Sequence, residues 1–155
     1  MPRIEHALED ARTRAAARHV RAWEETERQL LTACFEAQRA LVEDPHRRIA
    51  ALVPRGGGKT TAVRVRFVRR LRRTPKARLL YVATTRTQAE MLMWQPLKEL
   101  NERLGLGLRF NETKLRASRP RSGAQLQLVG ADDKREIEKL RGQPYHEVWI
   151  DEAQR

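Results

Sequence analysis

The stretch Val53-Pro54-Arg55-Gly56-Gly57-Gly58-Lys59-Thr60-Thr61 decides how the rest of the chain is read. Three successive glycines let the backbone turn tightly and aim several N–H groups inward. A helix that starts there adds the positive end of its dipole, and the two together make an anion cradle. In such a cradle the lysine reaches the terminal phosphates of a nucleotide and the threonine hydroxyl holds Mg²⁺. Pro54 through Thr61 are therefore candidate nucleotide-binding residues, with Lys59 on phosphate and Thr60 on the metal. Upstream, Arg48-Ile49-Ala50-Ala51-Leu52-Val53 predicts a short buried strand. Downstream, Lys59 to Arg73 predicts a helix. Strand, glycine loop, helix is the context that a phosphate loop needs. Such loops usually carry an early glycine where this one has Val53. A glycine-rich turn without a ligand is the alternative, and it leaves Lys59-Thr60 without a purpose.

Composition narrows the setting. The chain has 155 residues, 40% of them apolar, enough for one domain with a core. Its 32 basic and 20 acidic residues leave a net charge of +12, which points to a polyanionic partner, nucleic acid first, or else to a solvated basic surface. Cys34 is the single cysteine, which excludes a disulfide framework and a cysteine metal cluster. No apolar run approaches the roughly 20 residues that span a bilayer, and Met1-Pro2-Arg3-Ile4 does not open a signal peptide. A cytoplasmic, reducing compartment with no membrane partner is the expectation.

From Ile4 to Val42 the chain is helix-prone, with a charged first part up to Arg21 and an apolar stripe of Leu30, Cys34, Ala37 and Leu41. This predicts an exposed helical arm followed by a helix packed on the domain, with residues 1–45 standing apart from a core over 46–155. The arm either contacts DNA phosphates or is simply solvated. Gln38, just ahead of the loop strand, either reads adenine through its paired donor and acceptor or is an exposed helix glutamine.

Past the loop helix, Ala77–Ala83 predicts a strand, and the segment after Thr84 a helix capped by Thr85 or Thr87, kinked at Pro96 and ended by Gly105 and Gly107. Strands are expected over 108–115 and 124–129, the pair forming an antiparallel edge. The basic link 116–123 suits phosphate contact or is a plain surface loop. Asp132-Asp133 caps a helix through Leu140. Val148-Trp149-Ile150 then predicts a buried strand that delivers Asp151 and Glu152 to its C-terminal end, where ligands meet parallel sheets. There an aspartate can hold Mg²⁺ and a glutamate can take a proton from water. Alone, an Asp-Glu pair of this kind is commonly a solvated turn.

Together these pieces resemble the ATPase half of the large terminase subunit of tailed phages. The resemblance covers about Phe35 to Gln154. It is carried by Gln38 upstream, Arg55 within the loop, Val82-Ala83-Thr84-Thr85-Arg86-Thr87-Gln88-Ala89, Leu140-Arg141-Gly142, and Ile150-Asp151-Glu152-Ala153. It implies a three-layer α/β P-loop NTPase of the RecA/ASCE type, with a mostly parallel sheet centred on the strands near Ala51, Leu80 and Trp149. It further implies ATP and Mg²⁺ as cofactors, and catalytic roles for Glu152 on water, Arg55 on the γ-phosphate and Lys59. Thr60 and Asp151 would hold the metal and Gln38 would contact adenine. The function implied is ATP hydrolysis coupled to translocation of double-stranded DNA. Portal, small terminase subunit and a homo-oligomeric ring are the implied partners. The chain ends before the family's coupling motif and nuclease domain, as a truncated piece would. A DEAD/DEAH-type helicase fragment and a basic DNA-binding module with a vestigial site are the competing readings.

Overall fold

The computed structural model describes the backbone of residues 2–54 and 56–152, and the side chains of all these but Pro2 and Arg3. Two compact units divide between Phe35 and Glu36. The first is dominated by one long helix, α1 (Pro2–Thr32), rich in charge and largely exposed along its length. Within the helix-prone stretch 4–42, a turn over residues 33–35 separates α1 from α2 (Glu36–Glu43). The break shifts the phase of the expected stripe. In α2, Gln38 and Val42 are buried while Ala37 is exposed.

The second unit is built on α3 (Lys59–Arg73), whose bounds are those predicted. Its apolar face buries Ala62, Val63, Val65, Phe67, Val68 and Leu71, and each of the larger side chains contributes about 1.5–3 kcal/mol. Its last turn carries Arg70, Arg72 and Arg73, favourably placed at the negative end of the dipole. The strands are β1 (Arg78–Ala83), β2 (Arg109–Asn111), β3 (Arg116–Arg119), β4 (Ala124–Gly130) and β5 (Glu147–Ile150), in the order β2-β3-β4-β1-β5.

That order corrects several expectations. β1 pairs in parallel with both β4 and β5, but β3 pairs antiparallel with both β2 and β4, so the sheet is mixed rather than mostly parallel. The strands near Phe110 and Leu126 are not partners, because β3 lies between them and takes the first half of the supposed 116–123 loop. No strand forms over 48–53, and Leu52 is 91% exposed. Apolar residues there satisfy the pattern, but a strand exists only where a neighbour completes its hydrogen bonds. Among the described residues nothing pairs with the outer edge of β5, so the strand of Trp149 is an edge and Val148 and Ile150 are exposed.

Between β1 and β2 the chain forms α4 (Arg86–Ala89), a π-helical turn (Glu90–Trp94) and α5 (Gln95–Leu104). Thr85 caps α4, its hydroxyl accepting from the Gln88 N–H at 3.2 Å. Pro96 has no N–H to give the carbonyl of Leu92, four residues back. Arg64 of α3 donates to that carbonyl instead, at 2.7 Å. The wide π turn also rotates the side chains, so Leu92 faces out while Met93 and Trp94 are buried. α5 ends on Gly105 in the left-handed region, φ 60°. Helix α6 (Lys134–Leu140) is capped by Asp133, which accepts from the N–H groups of Arg135 and Glu136.

One arginine ties the lead-in to the loop onto the sheet. Arg66 of α3 donates to the carbonyls of Leu41 (3.0 Å) and Asp44 (2.8 Å) at the end of α2. It also pairs with Glu147 of β5 at 2.6 Å, both side chains being largely buried. Each contact satisfies a group that the sheet or helix end leaves exposed to loss of water. In urea unfolding, Arg66→Met is expected to cost about 2–3 kcal/mol and Glu147→Gln about 1–2 kcal/mol. The double variant should fall short of their sum by about 1 kcal/mol; additive losses would show that the pair is not coupled.

Candidate functional site

The loop between residues 53 and 59 owes its shape to its glycines. Gly56 and Gly58 stand at φ 79° and 69°, where side chains are strained. At Gly57 a Cβ would come within 2.5 Å of Val53 Cγ1 and 3.1 Å of the Pro54 carbonyl, so no larger residue fits. The Gly57 N–H closes a turn onto the Pro54 carbonyl at 3.0 Å. Gly58 caps α3 with no side chain on the first N–H groups, and no acid stands in the first turn. The helix therefore presents a positive end, reinforced by the Lys59 ammonium.

At the other side of the site, β5 carries the chain to Asp151. The Asp151 N–H bonds the Val82 carbonyl at 2.8 Å, extending the β1–β5 ladder by one step. Its carboxylate is buried. Oδ1 pairs with Lys59 Nζ at 2.6 Å and accepts the Glu152 N–H at 3.1 Å. Oδ2 accepts the Tyr81 hydroxyl at 2.9 Å. Burial above all, then the Asp151 charge and hydrogen bond, push the Tyr81 phenol far above its ordinary pKa. The Arg64 charge and, more weakly, the nearby Thr60 hydroxyl act the other way. Glu152 adopts φ 53°, a left-handed backbone that costs a non-glycine residue about 1 kcal/mol. That turn brings its side chain into the wall of the site.

These groups share one cavity of about 470 Å³. The loop from Val53 and Pro54 through Gly56 to Thr61 forms one wall, and Leu92, Asp151 and Glu152 complete it. Of the residues singled out in the sequence, Pro54, Gly56, Gly57, Gly58, Lys59, Thr60, Thr61, Asp151 and Glu152 thus come together. Arg55, Ala153 and Gln154 lie outside the described residues. Gln38 is buried but does not line the cavity; its Nε2 donates to the Gly58 carbonyl at 3.0 Å. It is thus a support of the loop rather than an exposed helix glutamine.

The Thr60 hydroxyl and the Asp151 carboxylate are hard oxygen donors of the kind Mg²⁺ prefers. Among the described residues no group of three His, Cys, Asp or Glu could hold a metal alone. The donor set fits a cation that arrives with phosphate oxygens as its other ligands.

Comparison with known proteins decides the family. The family model for the terminase large subunit, T4likevirus-type, N-terminal, matches residues 50–154. The chain belongs to the large terminase family. Among solved structures, the large terminase ATPase domain of Thermus phage P74-26 matches with a TM-score of 0.62 and 21% identity, over 76% of this chain and 52% of that one. The terminase chain described here therefore spans about half the length of that solved domain, and the likeness shows a shared fold. No curated protein matches the sequence. The helicase and non-catalytic alternatives are not favoured. No described helix is long and apolar enough to cross a membrane.

Two contributors escape a reading of the terminase sequence. Tyr81 is hidden in an aliphatic strand, where the only signal is a phenol that must find a hydrogen-bond partner once buried. Arg66 is one of six arginines on α3, and nothing in the spacing separates it from those in solvent.

Lys59→Ala removes the cavity's ammonium and leaves the buried Asp151 carboxylate without it. The expected result is loss of triphosphate binding of at least about 100-fold by calorimetry, from removal of a buried ion–phosphate contact of about 3 kcal/mol. Cooperative unfolding should persist, and a variant that binds as the parent does would show that Lys59 does not reach phosphate.

Proposed function

We propose that this terminase chain binds ATP with Mg²⁺ in the cavity, hydrolyses it, and is the ATPase part of a motor that moves double-stranded DNA. The observation that carries the reading is the 2.6 Å contact of Lys59 with Asp151 beside Thr60, at the positive end of α3 and on one cavity wide enough for a nucleotide. A P-loop NTPase core of the RecA/ASCE type is the arrangement this implies, with the 48–53 segment in the place of the loop-preceding strand.

In this reading the N–H groups of the glycine loop and the Lys59 ammonium bind the phosphates. Thr60 and Asp151 hold Mg²⁺, which when bound neutralises charge on the phosphate oxygens. Glu152, set by its left-handed backbone in the cavity wall, orients a water and takes its proton. Arg55 acts on the γ-phosphate. Gln38 acts through the loop, holding the Gly58 carbonyl.

DNA as the partner is supported by the net charge of +12. A local feature adds to it. Arg119 and Arg121 of the β3–β4 hairpin lie close to Arg72 of α3, so that burial first and mutual repulsion second lower the pKa values of Arg72 and Arg119. Concentrated positive charge of this kind suits a phosphate backbone. A portal, a small subunit and a ring of copies complete the proposed assembly.

Glu152→Gln is expected to bind ATP as the parent does and to lower its hydrolysis by at least about 100-fold, the scale of a lost general base; parent-like turnover would remove Glu152 from that role. Binding to duplex DNA should weaken at least about tenfold between about 50 and about 200 mM salt as counterions are released. Affinity that ignores salt would argue against phosphate contacts.

A further inference from the structure

We propose that Tyr81 is the positioning residue of the metal side of this site, orienting the Asp151 carboxylate through its phenolic oxygen. The inference rests on the nucleotide reading above, and it concerns a residue in the middle of the sheet rather than in the loop or the acidic turn.

Tyr81 lies on β1, flanked by β4 on one side and β5 on the other, opposite Leu128 and Trp149. It is fully buried. Its strand neighbours are Leu79, Leu80, Val82 and Ala83, so packing alone would be served by phenylalanine. The hydroxyl brings a cost, because a buried O–H needs partners. Its partner is a residue proposed to hold the cation: the phenol donates to Asp151 Oδ2 at 2.9 Å.

A phenol can donate one hydrogen bond and accept another at the same oxygen. Donating to Oδ2 turns the carboxylate so that Oδ1 faces Lys59, at 2.6 Å, and the cavity. Tyr81 belongs to β1 and Asp151 to the end of β5, two elements far apart in sequence. Groups that orient metal ligands in this way commonly affect metal affinity about 10–100-fold when removed.

The test is Tyr81→Phe in the whole chain, which keeps the ring and deletes the oxygen. Nucleotide affinity is measured by calorimetry with Mg²⁺ and with EDTA, and Mg²⁺ is titrated at saturating ADP. The parent should bind nucleotide more tightly with Mg²⁺. In the variant, affinity in EDTA should stay within about twofold of the parent, while the Mg²⁺ concentration for half-saturation rises about tenfold. Cooperative unfolding should be retained. A folded Tyr81→Phe with a parent-like Mg²⁺ titration overturns the proposal, as does an equal loss of affinity with and without the cation. Tyr81→Met, of similar reach, carries the same test if the phenylalanine variant fails to fold. A parent chain that binds no nucleotide would instead overturn the nucleotide reading, and this inference with it.

Discussion

The ion pair between Lys59 and Asp151 is the contact on which the rest of the site depends. It joins the first residue of α3 to the first residue beyond β5, so the helix terminus and the sheet's carboxyl edge cannot drift apart. Neither group is free to satisfy itself in water. The Asp151 side chain is 7% exposed and that of Lys59 26% exposed. Taking either partner away would leave a largely buried charge, a far larger penalty than a surface pair could impose. The same contact also keeps the glycine loop against the cavity, since that loop has no strand of its own behind it.

The scaffold supports this pair from three sides. Arg66 fastens the end of α2 and the base of β5 to α3. Gln38 holds the Gly58 carbonyl from α2. Tyr81 reaches across from the central strand to Asp151. All three are polar groups in largely apolar surroundings, and each satisfies a carbonyl or carboxylate that would otherwise lose its hydration. The fold spends its buried polarity around the loop and the acidic turn.

The other wall shows how one residue type reshapes a helix. Pro96 removes a donor, a π turn absorbs the mismatch, and Arg64 satisfies the orphaned Leu92 carbonyl. Burial lowers the Arg64 pKa, against the opposing influence of Tyr81 and Glu99. As a result Leu92 lines the cavity, while Met93 and Trp94 enter the core. An expected simple kink is thus a change of phase that alters which side chain the site meets.

Local signals were enough for the glycine loop, the extent of α3, the strand at 78–83, a threonine cap on α4 and an aspartate cap on α6, and the placement of Asp151 and Glu152 after a strand. Each depends on residues within a few positions of one another: glycine conformations, apolar periodicity, a capping side chain. The mixed sheet, the missing strand over 48–53, the edge position of β5 and the roles of Arg66 and Tyr81 were decided only in three dimensions. A strand needs a partner for its backbone and a buried polar side chain needs a partner for its charge or proton, and for β5, Arg66 and Tyr81 those partners lie 25 to 81 residues away along the chain.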